Sequence, residues 1–154
     1  MSEDLIDLLK KLDIDFKYFE HEPVLDYEKA EEIRRRFKLE GVESKSLFIK
    51  SKSSNYYIFI TIEKNKLSSN KVKKLIGEKV SIASIQELKQ ITGSTPGCVS
   101  PFGYSQNISV IVDKEIFNYD KFVFSPGKSE ITIEMKTKDI NKILEAYGNK
   151  KRYY

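Results

Sequence analysis

Between Gly93 and Gly103 the chain reads Gly-Ser-Thr-Pro-Gly-Cys-Val-Ser-Pro-Phe-Gly, and these eleven residues hold three of its seven glycines and two of its four prolines. No regular helix or strand passes through such a stretch, because proline fixes φ and lacks an N–H while glycine opens the left-handed region. The elements on either side must therefore pack around a shaped loop. Its remaining N–H groups point in set directions, and neighbouring amides that point one way bind an anion or a developing oxyanion. A tight surface turn is the other reading of the same residues.

The flanking sequence alternates between helical and strand periods. Ser2 reads as an N-cap, with Glu3 and Asp4 suited to the positive helix end and Leu5, Ile6, Leu8, Leu9 and Leu12 at helical spacing, which predicts a helix over 3–12. A strand over 16–21 closes at Pro23, and Asp26 caps a second helix that reaches Phe37 and carries the run Arg34, Arg35, Arg36. That run reads as a solvated face or as a phosphate contact. Strands over 45–50 and 56–63 flank a polar connection of hairpin length, 52–55. A helix over 69–76 stopped by Gly77, a strand over 80–83 and a helix over 85–91, opened by a capping box of Ser84 and Glu87, lead into the loop. Beyond it the pattern predicts strands over 108–112, 121–124 and 131–135, then a helix capped by Thr137 and ended by Gly148. Interleaved elements with a hairpin and meander-like late strands argue for an α+β fold on a mixed, curved sheet wrapped by helices.

At 154 residues, 40% of them hydrophobic, the chain fits one domain, expected over 1–148, with the basic, aromatic segment 149–154 as a flexible tail. No apolar run approaches the roughly 18 residues of a membrane helix and the first residues are acidic, so a cytoplasmic, monomeric protein is expected. Cys98 is the single cysteine and His21 the single histidine, which rules out an internal disulfide or a multi-thiolate zinc site and favours chemistry without metal or cofactor. A net charge of +4 permits nucleic-acid contact without requiring it.

Four segments then resemble, in order, those of the YbaK and prolyl-tRNA synthetase editing-domain superfamily. Gly97-Cys-Val-Ser-Pro101, followed by Phe102-Gly103, is similar to its G-x-x-x-P loop. Tyr18-Phe-Glu-His-Glu-Pro-Val24 resembles its E-H-x-P-V turn, Lys45-Ser-Leu-Phe-Ile-Lys50 its lysine-bearing strand, and Ser81-Ile-Ala-Ser84 with Glu87-Leu88 its S-F-A-S-x-E-E-L segment. The resemblance runs from Leu5 to Gly148 and is nearest to the free-standing PrdX-like deacylases, which remove alanine mischarged on proline tRNA. It implies a partly barrel-like sheet and a trans-editing hydrolase that acts on the aminoacylated tRNA 3′ end, with a synthetase as a further partner.

On that reading Gly97, Cys98, Val99 and Ser100 supply backbone amides to the acyl carbonyl, and His21, Pro101, Phe102, Gly103 and Ser125 surround the substrate. The resemblance makes Lys45 the lysine essential for editing. From the residues alone, Lys45 shares its strand face with Leu47 and Ile49, and a charge there is costly unless it ends at a pocket or reaches water. Lys50, on the opposite face, and Arg35 are the expected tRNA contacts. Phe102 and Tyr104 read either as stacking platforms for a base or as core. Cys98 has no identifiable basic partner to activate its thiol. The chain departs from the superfamily at Phe124-Ser125-Pro126, where relatives carry histidine before the proline. Ser125 keeps hydrogen-bonding capacity without an imidazole base, which leaves two competing functions: a tRNA-binding module without turnover, and a general esterase. The latter lacks a nucleophile, histidine and acid set.

Overall fold

The computed structural model describes residues 2–154, with side chains from Asp4 onward, so the side-chain cap expected of Ser2 lies outside what is described. Helix α1 spans Ser2–Lys11 and strand β1 Phe16–Glu20. Asp26 starts α2, Tyr27–Phe37, by accepting the Lys29 N–H at 2.8 Å. Strands β2 (Val42–Ser51) and β3 (Tyr56–Ile62) form the hairpin, followed by α3 (Ser69–Ile76), β4 (Val80–Ile82) and α4 (Ile85–Thr92). The capping box of Ser84 and Glu87 is complete at the start of α4. After the loop come β5 (Ser109–Val112), β6 (Lys121–Phe124), β7 (Ile131–Lys136), α5 (Ile140–Tyr147) and β8 (Lys151–Tyr153).

The strands run in the order β1-β7-β6-β2-β3-β5-β8, with β4 also on β2. The sheet is mixed: β2 meets β6 in parallel over only Val42 and Glu43, then turns to pair antiparallel with β3 from Ser44 opposite Ile62 to Lys50 opposite Tyr56. This change of partner bends the sheet at the start of β2. The bend is pinned by Glu134 on β7, which is 3% exposed and accepts the N–H groups of Glu40 and Gly41, each at 2.8 Å. A carboxylate bonded to two amides is a charge-assisted clamp. Gly41 fits because a Cβ there would stand 2.9 Å from the backbone nitrogen of Phe122.

The concave face holds the main core, in which Phe48, Ile58, Ile60, Phe122, Phe124 and Ile133 meet Leu5 and Leu9 of α1 and Ile140, Ile143 and Leu144 of α5. Strand alternation puts Leu47 and Ile49 on the other face, where they pack with Phe59, Ile111 and Val72 of α3. A third cluster, Ile33, Leu39 and Val123, lies under α2.

Two local expectations are corrected. The segment 149–154 is not a flexible tail: β8 pairs in parallel with β5, and Asn149 donates to the carbonyls of Tyr104, Ser105 and Ile108 at 2.9 to 3.2 Å. The Tyr154 ring meets Phe59 edge-on at 4.7 Å between centroids. Thr137 does not cap α5; its hydroxyl donates to the Tyr119 carbonyl, and a short 3-10 turn, Thr137–Asp139, precedes the helix. A second 3-10 turn, Lys114–Asn118, is capped by Asp113 and had no helical period to announce it.

Candidate active site

The loop at 93–103 follows α4, so its position depends on how α4 is seated. Glu87 accepts the Tyr56 hydroxyl at 2.5 Å, pairs with Lys50 at 2.9 Å and accepts the Ser84 N–H at 3.2 Å. These bonds, Tyr56 first, hold its carboxyl at about 2. Lys50 is thus committed to α4. The far half of the loop is fixed from below: the Ser100 hydroxyl donates to the Phe102 carbonyl at 2.9 Å and accepts its N–H at 3.2 Å, while the Tyr104 hydroxyl donates to the Ser100 carbonyl at 2.6 Å. Burial pushes the Tyr104 phenol up, so it remains a donor. Phe102 sits edge-on to Phe124 at 5.5 Å and Phe122 at 6.3 Å.

Between these anchors the turn rises to the surface. Gly97 has φ +89° with no atom within 4 Å of where a Cβ would stand, so conformation rather than space demands glycine. The Cys98 N–H makes a long bond of 3.4 Å to the Thr95 carbonyl. Among the described residues the N–H groups of Gly97, Val99 and Ser100 make no hydrogen bond.

Gly97 and Cys98 form one wall of a cleft of about 350 Å³, within the range of small-ligand sites, roughly 300–1,000 Å³. The facing wall is the start of α2 with its approach, Val24 to Tyr27, Ala30, Glu31 and Ile33; Glu43 and Ser44 of β2, Val123 to Ser125 and Thr132 form the floor. Leu25 and Tyr27 are 84% and 73% exposed at the rim. Glu43 pairs with Arg34 at 3.1 Å, and burial raises its carboxyl against that pairing, with Glu63 and Glu31 adding to the rise. The cleft combines apolar side chains, among them Ile33, Leu39, Val123 and Ile131, with the carboxylates of Glu31 and Glu43, a combination that suits a small side chain carried next to an ammonium.

The expected site residues separate into groups. Gly97, Cys98 and Ser125 line the cleft, the Ser125 hydroxyl donating to the Lys128 carbonyl at 2.8 Å. Lys45 follows Ser44 in β2, opposite Thr61; it is half-buried and, among the described residues, has no ion-pair partner. His21 stands behind the cleft. Its Nδ1 lies 2.8 Å from the Glu22 carbonyl, which only accepts, so Nδ1 is the donor there, and Nε2 lies 2.7 Å from the Thr132 hydroxyl. Phe102 and Pro101 do not surround a substrate: both are buried, Phe102 at 1% exposure within the main core. Tyr104 is core too, which leaves neither ring free to stack on a base. Ser100 is wholly buried and acts as a lock on the loop, with Val99 half-buried against the core and Gly103 just beyond the lock. Arg36 is tied to Glu22 and Glu32 and Arg34 to Glu43, whereas Arg35 is exposed. Glu43 was missed, although alternation puts it two residues before Lys45 on the same face.

The family model described as the aminoacyl-tRNA editing domain matches residues 21–143. The chain belongs to that family. The editing domain is 29% identical over 149 residues to the prolyl-tRNA editing protein ProX of Acetoanaerobium sticklandii, covering 92% of this chain and 88% of that protein. It is 25% identical over 144 residues to the multifunctional Ser/Thr-tRNA deacylase ProXp-y of Escherichia coli K12, with 92% and 86% covered. Among solved structures, the hypothetical protein APE2540 superposes with a TM-score of 0.78 at 19% identity over 96% of this chain and 95% of the other. A candidate trans-editing enzyme for prolyl tRNA synthetase superposes at 0.75 with 21% identity over 99% and 94%. At such identities the superpositions establish the fold. An editing domain is a deacylase, a hydrolase of the ester that joins an amino acid to tRNA.

Proposed function

We propose that this editing domain acts in trans on alanine mischarged to proline tRNA. The observation that carries the reading is the turn at Gly97: a positive-φ backbone at the wall of a cleft, with N–H groups at Gly97 and Val99 that no acceptor among the described residues uses. Amides fixed before the substrate arrives stabilise an oxyanion without reorganisation. The ester carbonyl lies against this turn, negative charge builds on its oxygen as water attacks carbon, and the bond to the ribose oxygen breaks. The vicinal ribose hydroxyl orients the water, so no protein base is needed. Glu43 faces the substrate α-ammonium, and Lys45 holds the ribose-phosphate end.

Preference for alanine rests on the apolar part of the lining. Ile33, Leu39, Val123 and Ile131 offer a methyl group an apolar contact. The hydroxyls of Ser44 and Ser125 are already donated, to the carbonyls of Val123 at 2.7 Å and Lys128 at 2.8 Å, and Thr132 serves His21. A serine or threonine hydroxyl therefore gains no donor there. Among the described residues no helix is long and apolar enough to cross a membrane, and a cytoplasmic site of action accords with a tRNA substrate.

Single-turnover deacylation of proline tRNA carrying alanine, serine, threonine, cysteine or proline tests the reading. Alanine is expected to leave fastest and proline to persist, and Lys45→Ala is expected to slow the alanine reaction. Faster loss of serine would reassign the substrate, and tight binding with no ester loss would replace the enzyme by a binding module.

A further inference from the structure

The charge on this molecule is segregated. Residues 20–43, which bring in α2, hold eight carboxylates and five basic side chains, whereas residues 64–79 hold six lysines and one glutamate. Lys64, Lys66, Lys73 and Lys74 are exposed, and among the described residues none has an ion-pair partner. A charge run on a helix is ordinarily a solvated face; the placement of this one is what distinguishes it. Glu63 lines the cleft, and the chain runs from it directly through Lys64 and Lys66 into α3. By alternation Lys45 lies on the face of β2 shared with Glu43 at the cleft and with Leu47 and Ile49 beneath α3, so it stands between the cleft and the strip.

The strip is also held in place. Asn65, between the first two lysines, donates to Asp113 at 3.0 Å and to Glu115. The Tyr154 hydroxyl accepts the Ser68 N–H at 3.1 Å, and its ring lies 4.1 Å from the Lys71 ammonium. The C-terminal residue thus fixes the start of α3. From Glu63 at the cleft to Lys74 the chain reaches at most about 27 Å, given ~3.5 Å per extended residue and ~1.5 Å per helical residue. That is enough to follow several phosphates of a helical stem.

We propose that the strip from Lys64 to Lys74 docks the phosphate backbone of the tRNA stem whose 3′ end occupies the cleft. The assignment rests on the editing reading for what enters the cleft. The acidic α2 rim repels phosphate, so the stem leaves across α3 and not across α2. The contact is electrostatic and independent of sequence; it raises affinity and leaves the selection of the amino acid to the cleft.

The test compares wild type with the variant carrying Lys64→Gln, Lys66→Gln, Lys73→Gln and Lys74→Gln, with Lys10→Gln, exposed on α1, as a control away from the strip. Binding of proline tRNA is measured across a salt series, and hydrolysis of a short aminoacyl-adenosine ester, which cannot reach α3, is measured in parallel. The expected result is weaker tRNA binding and a slope of log K against log salt that falls by about 0.9 for each lysine that meets a duplex phosphate. Short-ester hydrolysis and the Lys10→Gln slope stay at wild-type values. An unchanged affinity and slope in the quadruple variant overturns the proposal. If wild type hydrolyses no aminoacyl ester yet binds tRNA with a lysine-dependent slope, the deacylase reading falls and the docking surface stands.

Discussion

The far half of the loop wall is locked by groups that water does not reach, whereas the α2 wall carries, above its buried seat, a network of ion pairs that water does reach. Ser100, Phe102 and Tyr104 are 0%, 1% and 5% exposed, and the hydrogen bonds that lock the turn run among them. Across the cleft, Arg36 pairs with Glu22 at 2.8 Å and with Glu32 at 2.5 Å, and Lys29 with Glu32 at 2.9 Å, all on the surface. Exposed pairs are screened by salt over roughly 8–10 Å, while buried hydrogen bonds are not. On the proposed function, the amides offered to the oxyanion are fixed by bonds that solvent conditions do not reach, and the α2 wall is left responsive to salt.

The largest expected effect tests the loop wall directly. Gly97→Val puts a β-branched residue at φ +89°, where nothing crowds it sterically but the left-handed conformation costs an L-residue about 1–2 kcal/mol. The backbone flips or shifts to relieve that strain, and deacylation is expected to fall on the order of 100 to 1000-fold, the scale of a lost oxyanion donor. Circular dichroism should report an intact fold. A normal rate would remove the turn from the chemistry and with it the contrast between the walls. Tyr104→Phe should act next most strongly. It strips the buried Ser100 carbonyl of its donor, at a cost of about 1–3 kcal/mol for an unsatisfied buried group. A lower Tm and a lower kcat at steady KM are expected; if neither moves, the lock lies elsewhere.

How much of this was legible in the sequence depended on distance along the chain. Asp26 before α2 and Ser84 with Glu87 before α4 announced themselves because a cap and its amide lie three residues apart. The turn at Gly97 was legible for the same reason, since glycine and proline act on their own backbone. The resemblance added Lys45, whose ammonium has no ion-pair partner among the described residues. What the sequence hid were pairings across long separations. Nothing local marks Lys50 as the partner of Glu87, 37 residues on, or Asn149 as the donor to carbonyls more than 40 residues back. Phe102 was open between core and base platform for the same reason, because its burial is decided by Phe122 and Phe124.

Charge enters the support of the loop wall through α4, and pH exposes it. The Glu87 carboxyl is lowered from 4.5 to about 2 by the Tyr56 hydroxyl first and Lys50 next. A depressed carboxylate contributes stability that is present above the unfolded value and lost as pH falls through the folded one. The Tm gap between wild type and Glu87→Gln should therefore be full above about 4.5 and close as pH falls towards 2. A gap that stays constant would mean that Glu87 holds α4 by packing alone.

The smallest effect is expected on the other wall. Arg36→Ala removes the pairs to Glu22 and Glu32 together, yet the hydrophobic seat of α2, Ile33 with Leu39 and Val123, remains. The fold should be unaffected, kcat unchanged, and any rise in KM confined to low salt, where screening has not already weakened the same pairs. Steady-state kinetics at 50 mM and 500 mM salt read the difference. Should Arg36→Ala lower kcat at both salts as severely as Gly97→Val, α2 would be part of the fixed machinery, and the division between a rigid wall and a responsive one would be lost.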